Sequence, residues 1–129
     1  ELDDLGNNIA IQAASTLIRE LVYRTPVDES TALSNWRVGI DKKTTLAINA
    51  HVKGSKGSTR FESAEKTISE GFVALKSKKP RQKIYISNSL DYISELNYGT
   101  SSQAPKGFVE TSVKIAELSV KNKAKLRKL

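Results

Sequence analysis

The residues that could do chemistry in this chain are few and badly placed for it. His51 is the only histidine and there is no cysteine. The usual nucleophile–base pairs and zinc sites therefore cannot be assembled from it alone. Asp3-Asp4 and Asp28-Glu29 are adjacent carboxylates. Side chains that neighbour in sequence point apart on a helix or strand, so neither pair reads as a shared acid–base or metal site. Composition allows a serine–lysine pair, but no spacing supports one. "KGSKGST", residues 53–59, evokes a phosphate loop yet lacks the order in which a lysine follows the last glycine to reach the phosphates. The expectation is no catalytic, cofactor or metal site, with His51 structural.

Charge is the stronger signal. The chain carries 21 basic and 14 acidic residues, for a net charge of +7. Lys76, Lys78, Lys79, Arg81 and Lys83 form one acid-free run; Lys121, Lys123, Lys125, Arg127 and Lys128 form another. Those ten exceed the whole surplus, so the rest of the chain is mildly acidic. A solvated helix end accounts for each run, because basic side chains suit helix C-termini. Contact with nucleic acid or an acidic protein surface is the alternative. Base stacking would want aromatics among the lysines, and only Tyr85 qualifies.

The elements that position these groups follow from periodicity. Leu2, Leu5, Ile9, Ala13, Leu17 and Leu21 recur at helical steps over 2–24, with Ala10, Ala14 and Ile18 widening the stripe. Pro26 ends that helix, and Asp28 has the chemistry to fix a turn. Residues 35–41 and 44–53 alternate as strands, joined by Asp41-Lys42-Lys43 as an antiparallel hairpin. The 53–59 segment reads as a flexible loop. A second helix is expected over 59–78, with a stripe of Phe61, Ala64, Ile68, Phe72 and Leu75 and a capping box from Thr59 to Glu62. Pro80 stops it. Residues 83–88 make a third strand; Leu90, Ile93 and Leu96 fit a short helix closed by Gly99. Val109, Val113, Ala116 and Val120 give a last helix with a basic end, 121–129.

At 129 residues with 38% apolar content, one domain spanning 1–129 with a modest core is expected, leaning on partners for stability. The order of elements predicts an α+β fold: a small, mostly antiparallel sheet packed with a long N-terminal helix, a middle helix and a C-terminal helix. No stretch approaches the roughly 18 apolar residues of a membrane span, and the absence of methionine suggests a chain beginning after its true start. The segment 100–107, "TSSQAPKG", has small hydroxyl side chains and a rigid Pro105 between Gly99 and Gly107. It reads as a loop of defined shape rather than of chemistry.

Two blocks of the sequence also resemble a known family. "TPVD" (Thr25, Pro26, Val27, Asp28) followed by Asn35, Trp36, Val38 and Ile40 is similar to the start of tail-completion and head–tail joining proteins of long-tailed bacteriophages. "ISN" ending at Asn88, then Tyr92, Leu96 and "YGTS-x-QAP-x-G-x-V" (Tyr98, Gly99, Ser101, Gln103, Ala104, Pro105, Gly107, Val109) resembles its second block. The likeness covers roughly residues 2 to 120, around a variable helical middle. The chain departs at Glu29-Ser30, where the family tends to Thr-Gly. It departs again at Asp91-Tyr92-Ile93, for Pro-Tyr-Ala, and at Gly107-Phe108-Val109, for Gly-Met-Val.

The resemblance implies a non-enzymatic structural protein of the virion neck or upper tail, present in the host cytoplasm during assembly. It implies rings of identical subunits, hexameric in that family, that complete the tail and help join it to the DNA-filled head. Partners would be further copies, other neck and tail proteins and, without sequence specificity, the packaged DNA; no membrane is involved. The basic runs keep a small nucleic-acid-binding domain as the alternative. A cyclic ring needs one face to complement a different face of the next subunit. The 53–59 loop, the 100–107 loop and the outer side of the first helix are the candidates.

Overall fold

The computed structural model describes residues 2–25, 31–54, 57–90, 93, 97 and 107–127, with side chains except at 2, 3 and 122–127. Among the described residues four helices pack with a two-stranded antiparallel sheet, the α+β arrangement expected. In chain order they are α1 (Leu2–Arg24), α2 (Thr31–Ser34), β1 (Trp36–Ile40), α3 (Arg60–Lys76), β2 (Ile84–Asn88) and α4 (Phe108–Arg127). The expected short helix after β2 and its Gly99 cap lie mostly outside the described residues.

α1 is the central post. It packs along α4 and α3 and touches both strands. Its deepest residues are Ala14, Ile18, Leu21 and Val22. The buried face is thus turned towards the small-residue side of the expected stripe, and Leu5 is exposed. Ile18, Leu21 and Val22 join Leu33, Trp36, Ala64, Ile68 and Phe108 in one core. Gly71 lets α3 come close: a β-carbon there would sit 3.3 Å from Val38 and 3.4 Å from Ile18.

The expected hairpin does not form. β1 pairs with β2, 44 residues further on at its closest, in the register Trp36↔Asn88, Val38↔Ile86 and Ile40↔Ile84. Asp41 takes a left-handed φ of 63°. It extends the β1–β2 pairing by one step, its N–H donating to the Lys83 carbonyl (2.8 Å) and its Oδ1 accepting from the Lys83 N–H (2.9 Å). The chain then doubles back sharply. A β-carbon on Gly39 would fall 2.1 Å from the Lys42 carbonyl oxygen, so only glycine fits.

Residues 43–50 are therefore not a strand but an irregular strap, for which side chains replace a ladder. Asn35 accepts from the Ile48 N–H at 2.7 Å and donates to the Ile48 carbonyl at 2.8 Å. Ser34 Oγ accepts from the His51 N–H, and Ser63 Oγ from the Val52 N–H, each at 3.0 Å. Ser87 and Ser89 both donate to the Thr44 carbonyl. The alternation of Leu46, Ile48, Ala50 and Val52 misleads because Leu46 faces solvent, leaving no continuous buried face for a strand to pay into.

α3 also departs from expectation at its start. Thr59 makes no capping bond with the helix; its hydroxyl donates to the Val52 carbonyl at 2.9 Å, tying the strap to α3. Phe61 leaves the buried stripe altogether and is 65% exposed. Ser63 and Thr67 take inward positions beside Ala64, Ile68 and Leu75, and both hydroxyls find carbonyl acceptors.

Candidate functional site

Of the residues singled out in the two sequence blocks, Thr25, Asn35, Trp36 and Asn88 come together around the end of α1 and the start of the sheet. Thr25 closes α1, fully buried, with its hydroxyl bonded back to the Leu21 carbonyl. The same oxygen accepts the indole N–H of Trp36 at 2.8 Å. Trp36 stands buried at the head of β1, and its register partner on β2 is Asn88. Asn88 donates to the Ala32 carbonyl in α2 (2.8 Å) and accepts from the Leu90 N–H (3.1 Å). Asn35 adds a third bond, to the Thr31 carbonyl at 2.8 Å. Buried amides and hydroxyls must find partners, and here nearly every partner is backbone. The arrangement fixes the shape of α2, the strap and the strand ends.

Gly107 takes a φ of 80° just before α4 and receives a role from a residue that sequence reading missed. Asn97 is buried; its carbonyl accepts from the Gly107 N–H (2.7 Å) and its Oδ1 from the Val109 N–H (2.8 Å). Its Nδ2 donates to both carboxylate oxygens of Glu110, at 2.9 and 3.0 Å. Asn97 thus satisfies the start of α4 from another part of the chain, a capping role usually filled locally. Its one sequence signal is an amide ending the Leu90–Ile93–Leu96 apolar series. Pro26, Val27, Asp28, Tyr92, Tyr98, Gly99, Ser101, Gln103, Ala104 and Pro105 lie outside the described residues. Of the 53–59 loop, residues 57–59 form a turn closed by the Arg60 N–H on the Gly57 carbonyl (3.2 Å), and 55–56 lie outside.

His51 sits with its side chain 12% exposed and Nε2 3.3 Å from Glu70 Oε2, without hydrogen-bond geometry. It braces the strap against α3. Among the described residues no group of three or more histidines, cysteines or carboxylates gathers as a metal would require, and no helix is long and apolar enough to cross a membrane.

The first basic run does not form one surface. Lys76, Lys79, Arg81 and Lys83 are exposed, but Lys78 is buried, only 8% accessible. Its ammonium donates to Asn7 Oδ1 and to the Lys79 carbonyl (3.2 Å). Of the second run, Lys121 is exposed; the side chains of Lys123, Lys125 and Arg127 and all of Lys128 lie outside the described residues.

Lys78 and Lys121 both line a groove of about 680 Å³ between α1, β2 and α4, as does Glu117. Ala10, Ala13 and Leu17 form one wall, Ile86 another, and Val113 and Ala116 the third. Small side chains on α1 and α4 leave the space. Compared with protein-family models, curated proteins and solved structures, the chain finds no match.

Proposed function

We propose that this protein is a non-enzymatic structural component of a phage neck or upper tail, forming a ring that completes the tail and helps join it to the DNA-filled head. The observation that carries the reading is the pairing of Trp36 with Asn88. These residues belong to the two separate sequence blocks that resemble the joining-protein family. They stand side by side at one end of the sheet, with Thr25 bonded to Trp36, and this nearness of the two blocks is what supports the reading. Polar groups spent on backbone geometry suit a subunit whose task is to present a fixed surface.

The direct test is genetic and morphological. Phage made without the protein should yield DNA-filled heads and separate tails, and supplying the protein should restore joined particles. Normal particles without it would overturn the reading. A second reading, a small nucleic-acid-binding domain, draws on the exposed Lys76, Lys79, Arg81 and Lys83. It predicts DNA binding by the monomer that weakens steeply with salt and no ring at any concentration.

A further inference from the structure

The groove between α1, β2 and α4 has a feature that an accidental surface depression would lack. Lys78, a residue only 8% accessible, is one of its lining residues. The two acceptors of the Lys78 ammonium are an amide oxygen and a carbonyl, and no carboxylate pairs with it among the described residues. A cation removed from water without a counter-charge costs free energy. An occupant with an apolar body and an adjacent carboxylate would fill the space and balance the charge.

The chain itself offers such a group. Phe61 is a large aromatic side chain held 65% exposed in the first turn of α3. Glu62 follows it and is exposed, and Glu65 stands one turn on. Nearby Arg60 is engaged with the Tyr23 carbonyl, while Lys66 is exposed and opposite in charge to Glu117, a carboxylate that lines the groove beside Lys78 and Lys121. The placement suits a head-to-tail contact. α3 meets α1 on the side of Arg19, whose guanidinium lies 5.3 Å from the centre of the Phe72 ring; the groove opens on the side of Leu17. At about 100° per residue Arg19 lies across α1 from Leu17, with Ile18, which Gly71 of α3 also approaches, between them. Donor and acceptor are therefore different faces of one subunit, as closure of a ring requires.

We propose that the groove receives the Phe61–Glu62 corner of a second copy, with the Phe61 ring against Ala13 and Val113 and the Glu62 carboxylate towards Lys78. This rests on the ring reading and names the interface it needs. The aromatic anchor in an apolar slot is the usual form of an interface hot spot.

A capping experiment tests it. Phe61→Ser removes the donor and keeps the acceptor; Val113→Glu blocks the acceptor and keeps the donor. Both positions are partly exposed, and circular dichroism would verify that each variant is folded; Ala10→Glu serves if Val113→Glu is not. Sedimentation at high concentration should show wild-type rings and, for each variant alone, self-association weakened about thirtyfold, the loss of one hot-spot contact. An equal mixture should form one-to-one dimers and stop, because each pair has a single working junction. Rings from either variant alone overturn this interface while leaving the ring reading standing. No self-association of the wild type, with unjoined heads and tails still seen when the protein is missing, overturns the interface alone; joined particles without the protein overturn the ring reading as well.

Discussion

The side-chain amide of Asn35 pairs with the backbone of Ile48 through two hydrogen bonds, 2.7 Å to its N–H and 2.8 Å from Asn35 Nδ2 to its carbonyl. One residue thereby stands in for a neighbouring strand and holds the strap over the sheet. Asn35→Ala should leave both Ile48 groups without these partners, at a cost of about 1–3 kcal/mol. Hydrogen exchange at the Ile48 and His51 amides should accelerate well beyond that of the α1 core. Unchanged protection at Ile48 would show that the strap is held by other means.

Trp36 joins the buried core and gives its indole N–H to Thr25. Trp36→Ala should destabilise the protein by about 3–5 kcal/mol, through lost burial and the cavity left behind. Trp36→Phe keeps most of the packing and removes the bond, so it should cost clearly less. Denaturant midpoints for the three proteins check the ordering. Equal midpoints for wild type and Trp36→Ala would contradict the anchor role.

Tyr23 donates its hydroxyl to Glu65 Oε2 at 2.7 Å. That bond, followed by burial and the charge of Glu65, raises its pKa above the ordinary tyrosine value of 10.0. The folded state thus holds this proton more tightly than the unfolded chain. The associated stability is fully present below about pH 10 and is lost as pH rises through the folded pKa. Stability of the wild type should fall more steeply above pH 10 than that of Tyr23→Phe. Parallel pH profiles would remove the coupling.

These residues also explain how far the sequence could be read. The helical stripes of α1, α3 and α4 are legible because one buried face spans several turns, and each pattern repeats often enough to be unambiguous. β2 is legible for its isolated Ile84–Ile86 alternation. The partner of β1 is not, because pairing is a long-range choice that local alternation cannot encode. The strap has the period of a strand but its backbone bonds come from Ser34, Asn35 and Ser63, which are distant in sequence. Asn97 is hidden for the same reason, since it caps a helix that begins eleven residues later. Lys78 looks like the other lysines around it, and only tertiary packing separates it from them.

The exposed basic side chains invite a charge-reversal test. Replacing Lys76, Lys79, Arg81 and Lys83 by glutamate, and separately reversing the 121–128 run, distinguishes two surroundings. Loss of ring stacking with normal DNA retention indicates an acidic surface on a neighbouring protein. Normal assembly with DNA leakage indicates a wall of the DNA passage, where contacts fall on phosphates without reading sequence. We expect the protein contact, since DNA must slide through a neck and a strongly attractive wall would hinder it. No change in either measurement would mean that both runs are merely solvated.

Electron microscopy of intact particles tests the central claim most directly. With the protein labelled at its C-terminal end, the account predicts density for a closed ring of identical subunits where the tail meets the head, in which this fold sits with Phe61 of each copy against α1 and α4 of the next. Particles whose head–tail joint contains no copy of the protein would contradict it.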